Sequence, residues 1–155
     1  MSAAREVAPP PSASDWLGDA DFSDAYRLWS PRVLTAAEAA SLCMVEPPFW
    51  VRGLMRLRNL MVRPFGLKTA EPAAGAARIG WFPLLHQSDD RVVMGLDDRH
   101  LDFRIVFDAV SAQGETEVTA TTLVKTHGAL GRGYLTVIMP FHRLIVRRML
   151  ERLPS

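Results

Sequence analysis

Four histidines and a single cysteine are the side chains of this chain best suited to moving protons or holding a metal near neutral pH. His142 stands near the middle of an apolar helical arc, so its imidazole is expected to face the interior. There it could meet a ligand carbonyl, serve as a general acid or base, or pair with a strand hydroxyl such as that of Thr122 or Thr116. The run Asp97-Asp98-Arg99-His100-Leu101-Asp102 packs acid, base and imidazole together, a composition that could orient a histidine or hold a metal. Its position at a turn, where Asp is favoured for bonding its own backbone, points to a solvated turn and polar strand face instead. His86, His100, His127 and His142 share no HxxxH or HxH spacing, so no metal and no cofactor are expected. Gly128–Gly133 reads GxxGxG, the wrong order for a dinucleotide fingerprint, and is read as a strand-to-helix joint. No nucleophile elbow, phosphate-binding loop or CxxC motif occurs, and Cys43, at the end of an apolar helix, is expected to be buried and inert.

The elements that would position these groups follow from periodicity. Residues 1–14 are rich in Pro, Ala and Ser without a period and are expected to be a flexible tail ahead of a single domain over 15–155. Phe22, Tyr26 and Leu28 fall on alternate positions, predicting a first strand over Asp21–Trp29. Thr35 and Glu38 have capping-box spacing ahead of a helix from Ala36 to about Met44. A second helix is predicted from about Pro48 to Val62, with Trp50, Leu54, Leu57 and Met61 on one arc and arginines opposite. From Arg78 the period changes to two. A strand opens at Ile79-Gly-Trp81-Phe82, another runs Arg91–Leu96, and His100–Ala109 alternates Leu101, Phe103, Ile105 and Phe107 against polar residues. Ser111–Gly114 turns the chain back into Glu115–His127. Folding about residue 112 or 113 sets Phe103 near Thr122 and Ile105 near Ala120, with the apolar faces in agreement. The longest helical pattern follows, roughly Arg132 to Leu153, with Pro140 inside it.

Charge excludes some functions. Net charge is +1, too balanced for a domain devoted to neutralising phosphates, and the aromatics lie on apolar faces rather than alternating with arginine, so nucleic acid is not an expected partner. No apolar run approaches the roughly 20 residues of a transmembrane segment. Without a signal-peptide pattern at the start, a cytoplasmic location is the expectation. The second and last predicted helices are nonetheless basic on their outer faces. Those faces suit an anionic membrane surface, an acidic ligand head at a cavity mouth, or plain solvation in an arginine-rich chain.

A curved antiparallel sheet has one face to bury, and a long apolar-striped helix is a fitting cover. This element order predicts an α+β fold and resembles the helix-grip architecture of START-type lipid-transfer domains and polyketide cyclase-like proteins. The strings PPFWVRGLMRLRNLMVRPFGLK, GLDDRHLDFR and THGALGRGYLTVIMPFHRLIVRRML also resemble an uncharacterised bacterial domain family of unknown function, over about Asp21 to Leu153. That resemblance implies a helix-grip scaffold and carries no activity with it.

The expected site is an apolar or amphipathic cavity between sheet and last helix, walled by Trp81, Met94, Phe103, Ile105, Thr122, Leu135, Met139 and His142. A small hydrophobic or amphipathic molecule is the expected occupant. Two alternatives stand beside it: a cyclase- or hydrolase-type enzyme using His142, and a domain with a filled core that docks on a partner or a membrane surface. A void of about 300 Å³ or more would favour the first two. Oligomeric state is left open by the sequence.

Overall fold

A computed structural model describes residues 3–44, 77–80, 82–97 and 101–154, together with Arg56. In chain order the elements are β1 (Arg5–Val7), α1 (Pro11–Ser14), β2 (Phe22–Ser30), α2 (Ala36–Met44), β3 (Arg78–Ile79), β4 (Phe82–Gln87), β5 (Arg91–Asp97), β6 (Leu101–Ala112), β7 (Glu115–Thr126) and α3 (Ala129–Leu150). The strands form one curved, open antiparallel sheet in the order β1-β2-β7-β6-β5-β4-β3. α3 packs across β2 and β7, and α2 across β5 and β6, both on the concave face. The fold is α+β and helix-grip-like, as the element order predicts. The helix expected over Pro48–Val62 lies outside the described residues apart from Arg56, which is helical and exposed.

Local chemistry accounts for the element ends. At the start of α2 the Glu38 N–H donates to Thr35 Oγ1 at 3.2 Å, while the Thr35 N–H and hydroxyl donate to Glu38 Oε2 at 2.8 and 3.1 Å. This is the reciprocal capping box, and those two bonds hold the Glu38 carboxyl below its ordinary range. The helix buries Ala36, Ala39, Ala40 and Cys43, small residues that let it lie close on the strands.

The β6–β7 hairpin turns at Gln113 and Gly114, with φ of 54° and 87°. Positive φ at both positions matches the right-handed twist of the flanking strands. The turn is therefore centred later than the sequence suggests, and the pairs are Phe103↔Val124 and Ile105↔Thr122. The register differs from the expected one by two residues, an even slip that keeps every side chain on its predicted face. A second difference lies at Gly80, where φ of 60° accompanies a reversal of the chain. Ile79 and Phe82 then face each other across a β3–β4 hairpin rather than sharing a strand.

Residues 3–14, expected as a tail, carry β1 and α1. β1 pairs with β2 through Arg5↔Arg27, Glu6↔Tyr26 and Val7↔Ala25. Ala13 of α1 is fully buried on the convex face against Val93, Val106 and Trp16. Arg91 fastens this strap, donating to Asp108 Oδ1 at 2.6 Å and to the carbonyl and hydroxyl oxygens of Ser12 at 3.2 and 2.8 Å. A three-residue strand and a single helical turn are too short to leave a periodic signal.

The concave core gathers Tyr26, Leu28, Val92, Met94, Phe107 and Val118 against α2 and the end of α3. Thr116, fully buried, ties the segment after β2 to the sheet. Its Oγ1 accepts from the Leu34 N–H at 3.0 Å and donates to the Arg32 carbonyl at 2.7 Å, so Ser111 Oγ, 2.8 Å away, donates to it. On β5, Gly95 leaves room for Arg104 to fold over the strand and reach Asp97 at 2.7 Å. A Cβ there would lie 2.4 Å from the Phe103 carbonyl oxygen.

Candidate functional site

α3 begins at Gly128, whose φ of 117° suits the joint expected at Gly128–Gly133, and starts three residues before the predicted Arg132. From its inner arc, Leu135, Ile138, Met139, His142 and Val146 face the sheet across a cavity of about 220 Å³. Phe103, Ile105 and Phe107 of β6 and Ala120, Thr122 and Val124 of β7 form the opposite wall, with Met44 of α2 and Phe82 of β4 also contributing. Phe82 and Phe103 meet edge to face at 5.4 Å. Among the described lining residues only Thr122, Tyr134 and His142 carry polar side chains.

Six of the expected wall residues line this space: Phe103, Ile105, Thr122, Leu135, Met139 and His142. Met94 does not. It lies in register between Leu84 and Ile105 and is fully buried in the core, so its neighbours fill the space it would otherwise face. Trp81 lies outside the described residues. The volume also falls short of the expected 300 Å³. An apolar cavity of about 150 Å³ takes up a benzene, so this one has room for a bicyclic molecule.

His142 does not pair with Thr122 or Thr116. Its Nε2 faces Asp24 Oδ1 of β2 at 3.5 Å, with the two side chains 20% and 4% exposed. Among the described residues, neither Asp24 oxygen nor His142 Nε2 has a hydrogen-bond partner. The Phe22 ring stands nearly perpendicular to the imidazole, with centroids 6.3 Å apart. Asp24 is a site residue that periodicity alone passes over. It occupies the inward register of Phe22, Tyr26 and Leu28, and an acid on the apolar side of an alternating strand was the available signal. Next to it, burial raises the Tyr26 phenol above its ordinary range, with the charges of Asp24 and Glu6 adding to the effect.

The acidic run near Asp97 resolves into surface pairs where it is described. Arg104 meets Asp97 at 2.7 Å, and His127 Nε2 meets Asp102 at 2.9 Å. Among the described residues no group of three His, Cys, Asp or Glu side chains is placed to hold a metal. Cys43 is fully buried, and desolvation pushes its thiol up to about 12, so it has little nucleophilic character. Arg143, Arg147 and Arg148 lie on the exposed side of α3, where Arg148 reaches Glu151 at 3.2 Å. No helix among the described residues is long and apolar enough to cross a membrane.

The convex face holds a wider polar groove of about 560 Å³, which includes Trp16, Arg27, His86 and Glu117 and which depends on the α1 strap. Its charges are largely matched within the protein. Arg27 meets Glu117 at 3.2 Å and Arg91 meets Asp108 at 2.6 Å, leaving Asp108 Oδ2 without a partner among the described residues. The concave cavity differs in its almost wholly apolar wall, on which His142 stands with Asp24 buried beside it.

A family model described as a protein of unknown function (DUF2867) matches residues 16–149, and the chain belongs to that family. No curated protein matches it.

Proposed function

We propose that this member of the DUF2867 family binds a small hydrophobic or amphipathic molecule between its sheet and α3. The observation that carries the reading is the cavity of about 220 Å³ with nearly all-apolar walls. Protein interiors pack as densely as organic crystals, and voids much larger than a water molecule are few. An apolar cleft of this size offers a small molecule the close contacts that packing otherwise supplies. Contacts to the occupant would be mainly van der Waals, with His142 and Thr122 supplying the polar groups that set orientation.

Native mass spectrometry of protein purified from its own host tests this directly, the expected result being a co-purifying small molecule. Naphthalene serves as a probe of matching size. The full chain is expected to bind it, and Ile105→Trp, which fills the cavity, is expected to weaken binding at least about tenfold with the melting transition retained. A chain that takes up no naphthalene and carries no molecule overturns the reading.

A second reading is favoured by the 3.5 Å approach of Asp24 and His142, a buried acid beside an imidazole that itself lines the apolar space. This is the arrangement an acid–base enzyme of hydrolase or cyclase type would use. His142→Ala separates the two: it leaves naphthalene affinity nearly unchanged in a binder and abolishes turnover in an enzyme.

A further inference from the structure

α3 presents a second apolar face. Leu130, Val137, Phe141 and Leu144 follow one another at intervals of seven, four and three residues. At about 100° per residue they stay within an arc of about 60°, on the side of the helix away from His142 and Val146. All four are exposed, Val137, Phe141 and Leu144 to 63%, 44% and 47%. Nine large apolar side chains are exposed among the described residues. The others stand singly on β2, α2, β4, β6 and the segment after β2, so α3 alone gathers them into a stripe. Single exposed apolar residues are ordinary, whereas a contiguous exposed patch marks an interaction surface.

The borders of the stripe select what meets it. α3 carries Arg132, Arg143, Arg147 and Arg148 and no acid, while the whole chain has a net charge of +1, so the rest of the molecule is acidic on balance. Arg143, Arg147 and Arg148 border, with Pro140 and Leu144, an open recess of about 380 Å³. The one acid among its described lining residues is Glu151, which meets Arg148 at 3.2 Å. A second copy of the chain laid on this stripe, in either direction, would set basic flanks against basic flanks. An anionic bilayer supplies both complements, an acyl boundary for the apolar side chains and phosphate headgroups for the guanidinium groups. We propose that the outer face of α3 docks on an anionic membrane surface, with Val137, Phe141 and Leu144 entering the interface and Arg143 and Arg147 engaging lipid phosphates. The helix lies along such a surface, because its inner arc stays committed to the sheet. The docking face is opposite the cavity wall, so docking does not require an occupant in the cavity.

The test is co-sedimentation of the full chain with vesicles of phosphatidylcholine alone and of phosphatidylcholine mixed with phosphatidylglycerol. Binding to the mixed vesicles is expected to exceed binding to the neutral ones at least about tenfold at low salt, and to fall as salt is raised. Arg143→Gln combined with Arg147→Gln is expected to weaken binding to the mixed vesicles about tenfold or more, since each arginine at an anionic surface contributes about fivefold. Phe141→Ser removes the largest side chain of the stripe and is expected to weaken binding at least about fivefold. These positions are exposed, so the melting transition is expected to match that of wild type; Leu144→Ser takes the place of Phe141→Ser should that variant fold poorly. No binding to either vesicle, equal binding to both, or binding that none of these variants reduces overturns the proposal. A concentration-dependent dimer in analytical ultracentrifugation that Phe141→Ser returns to monomer also overturns it, and assigns the stripe to a second copy of the chain.

Discussion

Replacing Asp24 with valine is expected to make the protein more stable. The substitution exchanges a side chain that is 4% exposed and without a hydrogen-bond partner among the described residues for a β-branched one of similar size that suits a strand. Keeping the carboxylate ionised there costs several kcal/mol of lost hydration. An imidazolium at 3.5 Å would return about 5 kcal/mol at an effective dielectric of ~20, but His142 must itself lose hydration to carry that charge. The pair therefore stands near break-even, and buried pairs of this kind replaced by apolar groups gain about 1–4 kcal/mol. Urea unfolding at neutral pH should show the gain as a higher midpoint with an unchanged slope. In a thermal melt, a gain of about 2 kcal/mol corresponds to a rise of roughly 4–8 °C for a chain of this size. A loss of about 1 kcal/mol or more would refute the reasoning, since it would mean that the carboxylate is satisfied within the fold and serves as a structural group.

Thr116→Val should cost about 2–4 kcal/mol in urea unfolding, because the Leu34 N–H, the Arg32 carbonyl and the Ser111 hydroxyl all lose their partner; Thr116→Ser, which keeps the hydroxyl, should cost about 1 kcal/mol. Cys43, with its thiol raised to about 12 and fully buried, should resist iodoacetamide at neutral pH and react only in denaturant, which mass spectrometry of the alkylated chain reads directly. The Asp21 carboxyl is held below its ordinary value by the Thr126 N–H and hydroxyl, at 2.6 and 2.8 Å. Its stabilising contribution is thus present above the unfolded-state value near 3.8 and lost as pH falls through the lower folded value. The gap in urea midpoint between wild type and Asp21→Asn should accordingly be full at neutral pH and close as the pH falls below 3.8.

How much of this was legible in the sequence depended on how local the determining chemistry is. α2 begins where Thr35 and Glu38 place it, since a capping box is a contact between residues three apart. The inner arc of α3 and the apolar face of β6 were equally readable, because 3.6 and 2 are periods of the chain itself. Registry was harder. Positive φ at Gln113 and at Gly80 decides where the chain reverses, and the residue types around them tolerate a turn at neighbouring positions. The cavity wall was legible as six side chains on facing periodic elements, while Met94 has the right face and the wrong depth. Asp24 escaped because its meaning is tertiary: only the packing of β2 under α3 turns a polar residue in a strand into a buried acid beside an imidazole.

The stretch before Pro11, which composition alone would mark for trimming, lies along the outer edge of β2 and leaves its middle without free backbone groups. An unpaired strand edge is a template for pairing with another chain, and β2 is otherwise a nine-residue strand bonded on only one side. Shortening the protein to its periodic part would open that edge and, by removing Ala13, uncover Val93 and Val106 on the convex face. The consequence is practical: β1 and α1 cover that edge and that patch, and expression trials that delete them should yield aggregates where the longer form stays dispersed.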